Sequence, residues 1–199
     1  MDSTKDFFYK KIMELYFKTD KGFYTPVLEN WSYSIPQEGV TLYLNHQICS
    51  EKCVLFLNEI LKSSNDFSCV KDFSKITGGG ICHNLQIIKD DLERSYSHSI
   101  CVNISLLIPV FHIHVLQLNR KSADFSKWNG LPFRQKELEK TIFLEEITNI
   151  TDFLINRLNL IKFPDNLINE KVDGIFTEDI NKNDFTFYTA LFQREFYTR

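Results

Sequence analysis

A long apolar run with an alternating pattern occupies the middle of the sequence, at residues 98–118 (HSICVNISLLIPVFHIHVLQL). Side chains of a β-strand point alternately to the two faces of its sheet, so alternation with period two predicts strand. In the first half of the run, large side chains and small or polar side chains separate onto opposite faces. The predicted apolar face holds His98, Ile100, Val102, Ile104, Leu106 and Ile108, and the other face holds Ser99, Cys101, Asn103 and Ser105.

The same run is long enough to cross a membrane, but its composition favours strand. A transmembrane helix needs about 20 predominantly apolar residues, whereas this run contains Asn103, His112 and His114. Polar groups are costly in hydrocarbon, so we expect no membrane association. One straight strand over the whole run would be about 70 Å long. Because proline cannot donate a ladder hydrogen bond, a bend or break is predicted at Pro109.

Helix signals lie on both sides of this strand-rich centre. One helix is predicted to begin at Ser3 and end at Asp20–Gly22, and a second to span residues 46–62. The most regular helical spacing runs from Phe143 to Ile161, and the tail at 184–197 reads as a helix or a strand. Further strands are predicted at 31–35 (WSYSI), 40–44 (VTLYL), 67–70 and 81–88. Helices that flank strands, rather than alternating with them, predict an α+β fold: a single domain over residues 1–199 with a mainly antiparallel central sheet.

Charge and cysteine content narrow the class of protein. The 199 residues carry 23 Lys and Arg against 26 Asp and Glu, a net charge of −3. A nucleic-acid-binding protein usually carries a basic stripe, so no nucleic-acid partner is expected. The five cysteines are odd in number and lie in apolar runs, unlike a secreted disulfide framework. Acids and lysines occupy the start, where a signal peptide has an apolar core. We therefore expect a cytoplasmic protein.

His112-Ile113-His114 is the sharpest candidate for a metal site. Two histidines two positions apart on a strand point to the same face, and neutral imidazoles bind zinc or iron. A metal would need a third ligand, which only tertiary contacts can supply. The other interpretation, which we favour, places the pair on a half-solvated strand face. The sequence therefore predicts no metal and no cofactor, with a small metal-dependent hydrolase or oxygenase that uses His112 and His114 as the alternative.

Cysteine and glycine motifs elsewhere favour structural roles. Cys49 and Cys53 share the apolar stripe of a predicted helix, where a free cysteine packs as a small hydrophobe. The glycines at 78–80 lack the lysine and hydroxyl residues of a phosphate-binding loop and predict a turn. Cys82 and His83 are adjacent on a predicted strand and point to opposite faces, so they cannot pair. No catalytic residue is predicted.

The negative charge is concentrated in one segment. Residues 164–184 contain six acids and two lysines, a charge of −4, so the other 178 residues sum to +1. Apolar residues are interleaved with the acids, and this mixture offers a basic partner charges for steering and side chains for affinity. The alternative is a solvated loop between helices. The predicted partner-binding residues are Asp165, Glu170, Asp173, Phe176, Glu178, Asp179 and Asp184, with Trp128 and Phe133 as neighbouring anchors.

The order of segments over residues 98–193 resembles that of small immunity proteins of bacterial polymorphic toxin systems. The segments that carry the resemblance are ISLLIPVFHIHVL, the loop with LPFR, IFLEEITNITDFLINRL and KVDGIFTEDINKNDFTFYTALFQ. The likeness is one of pattern, and no residue role is carried over. It implies a cytosolic, non-catalytic protein that binds one cognate toxin and occludes the active site of that toxin.

Two functions are argued from the sequence, and a third, a ligand-binding domain with an aromatic pocket, is permitted by the 28 aromatic residues (18 Phe, 8 Tyr and 2 Trp) but not singled out by them. The first is an immunity protein that binds a toxin with a basic surface through residues 165–184. The second is the metal-dependent enzyme built on His112 and His114. We favour the first, because no catalytic constellation accompanies the histidine pair.

Overall fold

Helices pack on both faces of a mainly antiparallel sheet. The computed structural model describes residues 3–26, 37–63, 67–74, 81–89, 96–119, 135–175 and 185–192. The helices are α1 (Ser3–Leu15), α2 (Gln37–Ser63), α3 (Leu144–Asn156) and α4 (Phe187–Leu191). The strands are β1 (Tyr16–Lys18), β2 (Tyr24–Pro26), β3 (Cys69–Asp72), β4 (Cys82–Lys89), β5 (Tyr96–Ser105), β6 (Val110–Asn119), β7 (Gln135–Leu138) and β8 (Ile161–Lys162). Single 3₁₀ turns lie at Lys140–Phe143 and Asp165–Leu167.

Six of the described strands form one sheet. Strands β3, β4, β5, β6 and β7 are neighbours in that order, each antiparallel to the next. Strand β8 pairs in parallel with β6, on a short stretch at Val110 and Phe111. Strands β1 and β2 form a separate hairpin. The predicted α+β class with a mainly antiparallel sheet is confirmed.

The long alternating run forms two strands rather than one. β5 ends at Ser105, a turn spans Leu106–Pro109, and β6 begins at Val110. Pro109 is exposed in this turn, where its missing N–H removes no ladder hydrogen bond. The Pro109 carbonyl accepts from the Ile161 N–H at 2.9 Å, next to β8. The break predicted at Pro109 is confirmed, and β5 and β6 lie side by side.

One face of the sheet is apolar and packs against α2 and α3. Full burial of one large aliphatic side chain contributes about 1.5–3 kcal/mol, so the alternation of the strands is a main source of stability. This first core contains Leu85, Ile87, Ile100, Val102, Ile104, Phe111, Ile113 and Val115 from the sheet, Cys53 and Leu57 from α2, and Ile147, Ile150 and Leu154 from α3.

A second core joins α1, α4 and the loop after β8. Phe8 and Ile12 of α1 are buried there, as the predicted apolar stripe of that helix requires. The ring of Phe8 meets the ring of Phe163 edge to face at 5.3 Å. The Tyr16 hydroxyl donates to the Ala190 carbonyl at 2.8 Å. These contacts fix the C-terminal helix against the N-terminal one.

Two segments adopt structures other than those predicted. Residues 40–44 were expected to form a strand but lie within α2. Their β-branched and aromatic side chains give only a weak preference for strand. A helix, by contrast, gains one hydrogen bond for each residue it adds. The helix expected to reach Ile161 ends at Asn156. Asn159 adopts φ 54 and the Leu160 N–H donates back to the Leu154 carbonyl, so the chain turns and enters β8.

Other predicted elements differ from the structure mainly at their ends. α1 ends at Leu15, before the β1–β2 hairpin whose turn contains Gly22 at φ 87. α2 begins at Gln37, ahead of the predicted start at residue 46. The tail forms the helix α4, with Thr186 as its N-cap. The predicted strand at 31–35 and the glycine turn at 78–80 lie outside the described residues.

Among the helices that the structure describes, none combines the length and the apolar character needed to cross a membrane. Residues 99–118, which are long and apolar enough in sequence to be considered as a membrane span, lie in β5, β6 and the turn between them.

Candidate functional site

Both histidines of the His112-Ile113-His114 motif are buried on the second face of the sheet. Each has 0% of its surface exposed, and the two rings stack with centroids 5.5 Å apart. The rings of Tyr188 and Phe163 meet His112 edge to face, with centroids at 5.3 and 6.3 Å. The expectation of a half-solvated face is therefore wrong. The pattern of one strand does not reveal which distant segment covers it, and here α4 and Phe163 cover His112.

A chain of hydrogen bonds runs along this face from β5 to β4, back to β5 and on to α4. Ser99 donates to Gln86 at 3.1 Å, and Gln86 donates to Asn84 at 2.9 Å. Asn84 donates to Asn103 at 2.5 Å, and Asn103 donates to the Tyr188 hydroxyl at 2.6 Å. All five side chains are buried. A buried polar group left without a partner costs about 1–3 kcal/mol, so this polar network fixes both the strand register and the position of Tyr188.

The sequence interpretation did not identify the polar network. Part of the signal was visible, because the alternation assigns Ser99 and Asn103 to the face opposite the apolar one. The missing part is not local: Tyr188 lies 85 residues beyond Asn103. A buried strand face with repeated Asn, Gln and Ser residues is the pattern that indicates such a network.

Asp165, a predicted partner-binding residue, lies at the edge of the polar face. Its Oδ1 is 3.4 Å from Nε2 of His112 and 2.9 Å from Nζ of Lys140. The imidazole of His112, together with the Lys140 ammonium, holds the pKa of Asp165 well below its ordinary value of 3.8. The Asp165 side chain remains 54% exposed. Its negative charge is therefore held in position and is still accessible to a partner.

Burial favours the neutral form of both imidazoles. Removal from water lowers the pKa of His112 below its ordinary value of 6.5, an effect that Asp165 opposes and Lys140 reinforces. Burial also holds the pKa of His114 well below 6.5, with smaller contributions from His112 and Lys140. Neutral imidazole is the metal-binding form. Even so, no group of three His, Cys, Asp or Glu residues is placed to hold a metal ion within the part of the chain that the structure describes.

The described part of the acidic segment is a loop on the surface of the second core. Leu167, Val172 and Ile175 are buried in that core, whereas Glu170 and Asp173 are exposed. Glu170 pairs with Lys5 of α1 at 2.7 Å. The loop therefore presents carboxylates from a fixed apolar base. Its three buried apolar side chains are not available as anchors for a partner.

The remaining predicted partner-binding residues lie outside the described residues. The structure brings Asp165, Glu170 and Asp173 onto one loop and places each of them at the surface. The predicted residues beyond its description are Trp128, Phe133, Phe176, Glu178, Asp179 and Asp184.

The cysteines of the described segments are packing residues rather than nucleophiles where they are fully buried. Burial raises the pKa of the Cys53 thiol and of the Cys101 thiol to about 12 in each case. Cys49, predicted to share the core with Cys53, is only partly buried. Cys82 is buried in the second core, whereas His83 pairs in register with Ile104, which belongs to the first core. The two therefore face opposite sides of the sheet, as predicted.

Comparison with protein families, with curated proteins and with solved structures finds no match to this chain. The function is therefore argued from the residues, the fold and the geometry of the acidic loop.

Proposed function

We propose that this chain is a non-catalytic binding protein of the immunity type, which neutralises a cognate bacterial toxin by covering the active site of that toxin. The observation that carries the proposal is the acidic loop at 164–175. Its exposed acids, Asp165, Glu170 and Asp173, stand on a buried apolar base. Such a surface suits a partner with a basic surface.

Preorganisation of the acids supports this proposal. Asp165 is held by Lys140 at 2.9 Å, and Glu170 is held by Lys5 at 2.7 Å. Side chains that are already positioned lose little conformational freedom when a partner binds. Fixed negative charges accelerate encounter with a basic partner.

Burial of the chemically active side chains also supports binding over the enzymatic alternative. His112 and His114 are 0% exposed and burial lowers the pKa of each, and burial raises the pKa of the Cys53 and Cys101 thiols to about 12. A catalytic group must come within hydrogen-bond reach of its substrate. A substrate cannot reach the imidazoles and thiols at these four positions in this conformation.

The proposal is tested by reversing charge on the loop. The probe is the product of the gene next to that of this chain, tested as the toxin in purified form and in a bacterial growth-rescue assay. Glu170→Lys with Asp173→Lys is expected to weaken binding by at least about tenfold, mainly through the association rate, and to reduce rescue. Asp165 is left intact, because it also contacts His112 and Lys140.

A matched control separates the loop from net charge. Asp20→Lys with Glu59→Lys makes the same change of charge at exposed positions on the β1–β2 turn and on α2. We expect this control to bind the toxin within about twofold of the wild-type affinity, since long-range charge is screened at physiological salt. Equal binding by both double variants would overturn the proposal for the loop. Absence of binding by the wild-type chain would overturn the immunity function itself.

A further inference from the structure

Asp165 joins the acidic loop to the buried polar face of the sheet. Its Oδ1 lies 3.4 Å from Nε2 of His112, whose side chain is 0% exposed, whereas the Asp165 side chain is 54% exposed. One carboxylate therefore contacts both a buried imidazole and the solvent. A change in the charge of the imidazole acts directly on a carboxylate at the surface.

The other neighbours of His112 hold its ring in place. Tyr188 of α4 and Phe163 meet the ring edge to face, with centroids at 5.3 and 6.3 Å. His114 stacks beside it at 5.5 Å, and Asn103 of β5 is its partner in register. Close packing leaves a buried ring little room to move, and the phenol and the amide are uncharged near neutral pH. The exposed carboxylate of the pair is therefore the group that can adjust its position.

Charged groups of opposite sign act on the imidazole of His112. Among the described residues, the carboxylate of Asp165 favours a proton on the ring, and the ammonium groups of Lys140 and Lys162 disfavour it. Lys140 lies in the turn before α3 and Lys162 lies in β8. His114 is the titratable neighbour on the same strand, and its pKa is held well below 6.5 by burial and further by His112. Acidification therefore places a proton on His112 before His114, because the carboxylate contacts His112.

A proton on His112 changes its contact with Asp165. The separation of 3.4 Å between Nε2 and Oδ1 is longer than the roughly 2.7–2.9 Å of a charge-assisted hydrogen bond. Protonation of Nε2 draws the carboxylate towards the buried face and offsets its negative charge. The acidic loop then presents less negative charge to the solvent.

We propose that His112 and Asp165 form a proton-dependent link, in which protonation of His112 offsets the charge of Asp165 and weakens the binding of a basic partner. This inference rests on the proposed function and adds the regulation of the same loop. The coupling is reciprocal, so a basic group of the partner that engages Asp165 disfavours the proton on His112. Affinity is highest while His112 is neutral. It decreases as pH falls through the pKa of His112, which burial places below 6.5.

Titration of the chain alone tests the link without a partner. NMR of the imidazole rings measures the midpoint of His112 in the full-length wild type and in variants. Asp165→Asn removes the carboxylate that favours the proton, so the midpoint is expected to move to lower pH, whereas Lys140→Met is expected to move it to higher pH. Neither position is buried, so both variants are expected to fold.

A matched control separates the contact from the charge of the loop. Glu170→Gln removes one negative charge from the same loop, where the side chain pairs with Lys5, and should leave the midpoint of His112 unchanged. An Asp165→Asn midpoint equal to that of the wild type would overturn the link. Absence of any titration of His112 above the pH at which the chain unfolds would also overturn it.

Binding measurements test the consequence for the partner. The purified product of the adjacent gene is titrated with the wild type and with Asp165→Asn at about pH 7.5 and pH 5.5, within the range in which histidine changes charge. Circular dichroism verifies the fold at both pH values. Because one partner is used for both proteins, its own titration cancels in the ratio of the two affinities. We expect the advantage of the wild type to shrink by about two- to fivefold at the lower pH, the contribution of one exposed ion pair.

The outcomes distinguish the link from the proposed function. If the product binds the wild type but the affinity ratio is the same at both pH values, the link does not regulate binding and the proposed function stands. If the product does not bind the wild type at either pH, the proposed function fails and the regulatory role fails with it.

Discussion

Tyr188 ties α4 to the sheet through a hydroxyl group within an aromatic environment. Its hydroxyl accepts from Asn103 at 2.6 Å. Its ring contacts His112 at 5.3 Å and Phe192 at 4.9 Å between centroids, and 1% of its surface is exposed. The ring packing is not directional enough to select one position for α4, whereas the hydrogen bond is.

Removing that hydroxyl is therefore expected to destabilise the protein. Tyr188→Phe keeps the ring and leaves the Asn103 amide without this acceptor, so we expect the free energy of unfolding to fall by about 1–2 kcal/mol. Urea denaturation measures the change. Tyr9→Phe, at a 39% exposed position on α1, removes a hydroxyl that water can replace and should change stability by less than about 0.5 kcal/mol. A Tyr188 variant as stable as the control would contradict a structural role for the network.

At Asp165 the sequence predicts the presence of a charge but not the contacts that hold it in place. The concentration of acids in residues 164–184 identified it as a candidate. Its partners, Lys140 and His112, lie at remote positions in the chain. Local composition predicts that a charge is present. Only the tertiary structure determines that the charge is held in place, because the restraining groups come from a strand and from the turn before α3.

The stack between Phe56 and Phe153 couples α2 to α3. The rings are parallel at 4.1 Å, and both residues border the first core. Aromatic pairs contribute about 0.5–1.5 kcal/mol beyond the burial of their area.

A double-mutant cycle measures this coupling. We expect Phe56→Leu and Phe153→Leu each to lower the free energy of unfolding, and the double variant to lose about 0.5–1.5 kcal/mol less than the sum. The control cycle combines Phe56→Leu with Phe8→Leu, whose side chain belongs to the second core. Residues without shared contacts add within about 0.5 kcal/mol. Equal non-additivity in both cycles would mean that the stack has no specific energetic role.

The predictability of an element depended on whether its signal was local. The helical spacing of apolar residues in α3 and the alternation in β5 each extend over many residues, and both elements were predicted correctly. The end of α3 depends on the backbone of Asn159 at φ 54. A periodic pattern does not specify the conformation of such a single residue. Residues 40–44 carry a strand-like composition inside α2, where continuation of the helix outweighs intrinsic preference.

The sheet divides the protein into an apolar side and a side that mixes polar and aromatic groups. Alternation predicted this division, since it separates Val102 and Ile104 from Ser99 and Asn103. It did not predict that the polar side would also be buried. Covering that side requires α1, α4 and the loop with Phe163, which come from the two ends of the chain. A strand pattern cannot specify such distant contacts.

Burial of His112 and His114 makes the stability of the fold depend on pH. The pKa values of His112 and His114 in the folded protein lie below the ordinary value of 6.5. The pKa of His83 is also lowered, by burial that outweighs the attraction of Asp72. The unfolded chain therefore binds more protons than the folded chain below about pH 6.5, and stability decreases as pH falls through this range. Lys140 and Lys162 reinforce the effect at His112, and Asp165 opposes it.

We expect the free energy of unfolding to fall between pH 7 and pH 5, because the unfolded chain takes up more protons at these histidines than the folded chain does. Urea denaturation at several pH values measures the slope. His114→Gln keeps a polar side chain that does not titrate, so the variant is expected to be less stable at pH 7 and to show a shallower slope. His98→Gln is the control, because it removes an imidazole beside Tyr96 and Phe143 and leaves the buried pair intact. A wild-type slope near zero, or a His114 variant with the full slope, would show that the buried pair does not set the response to acid.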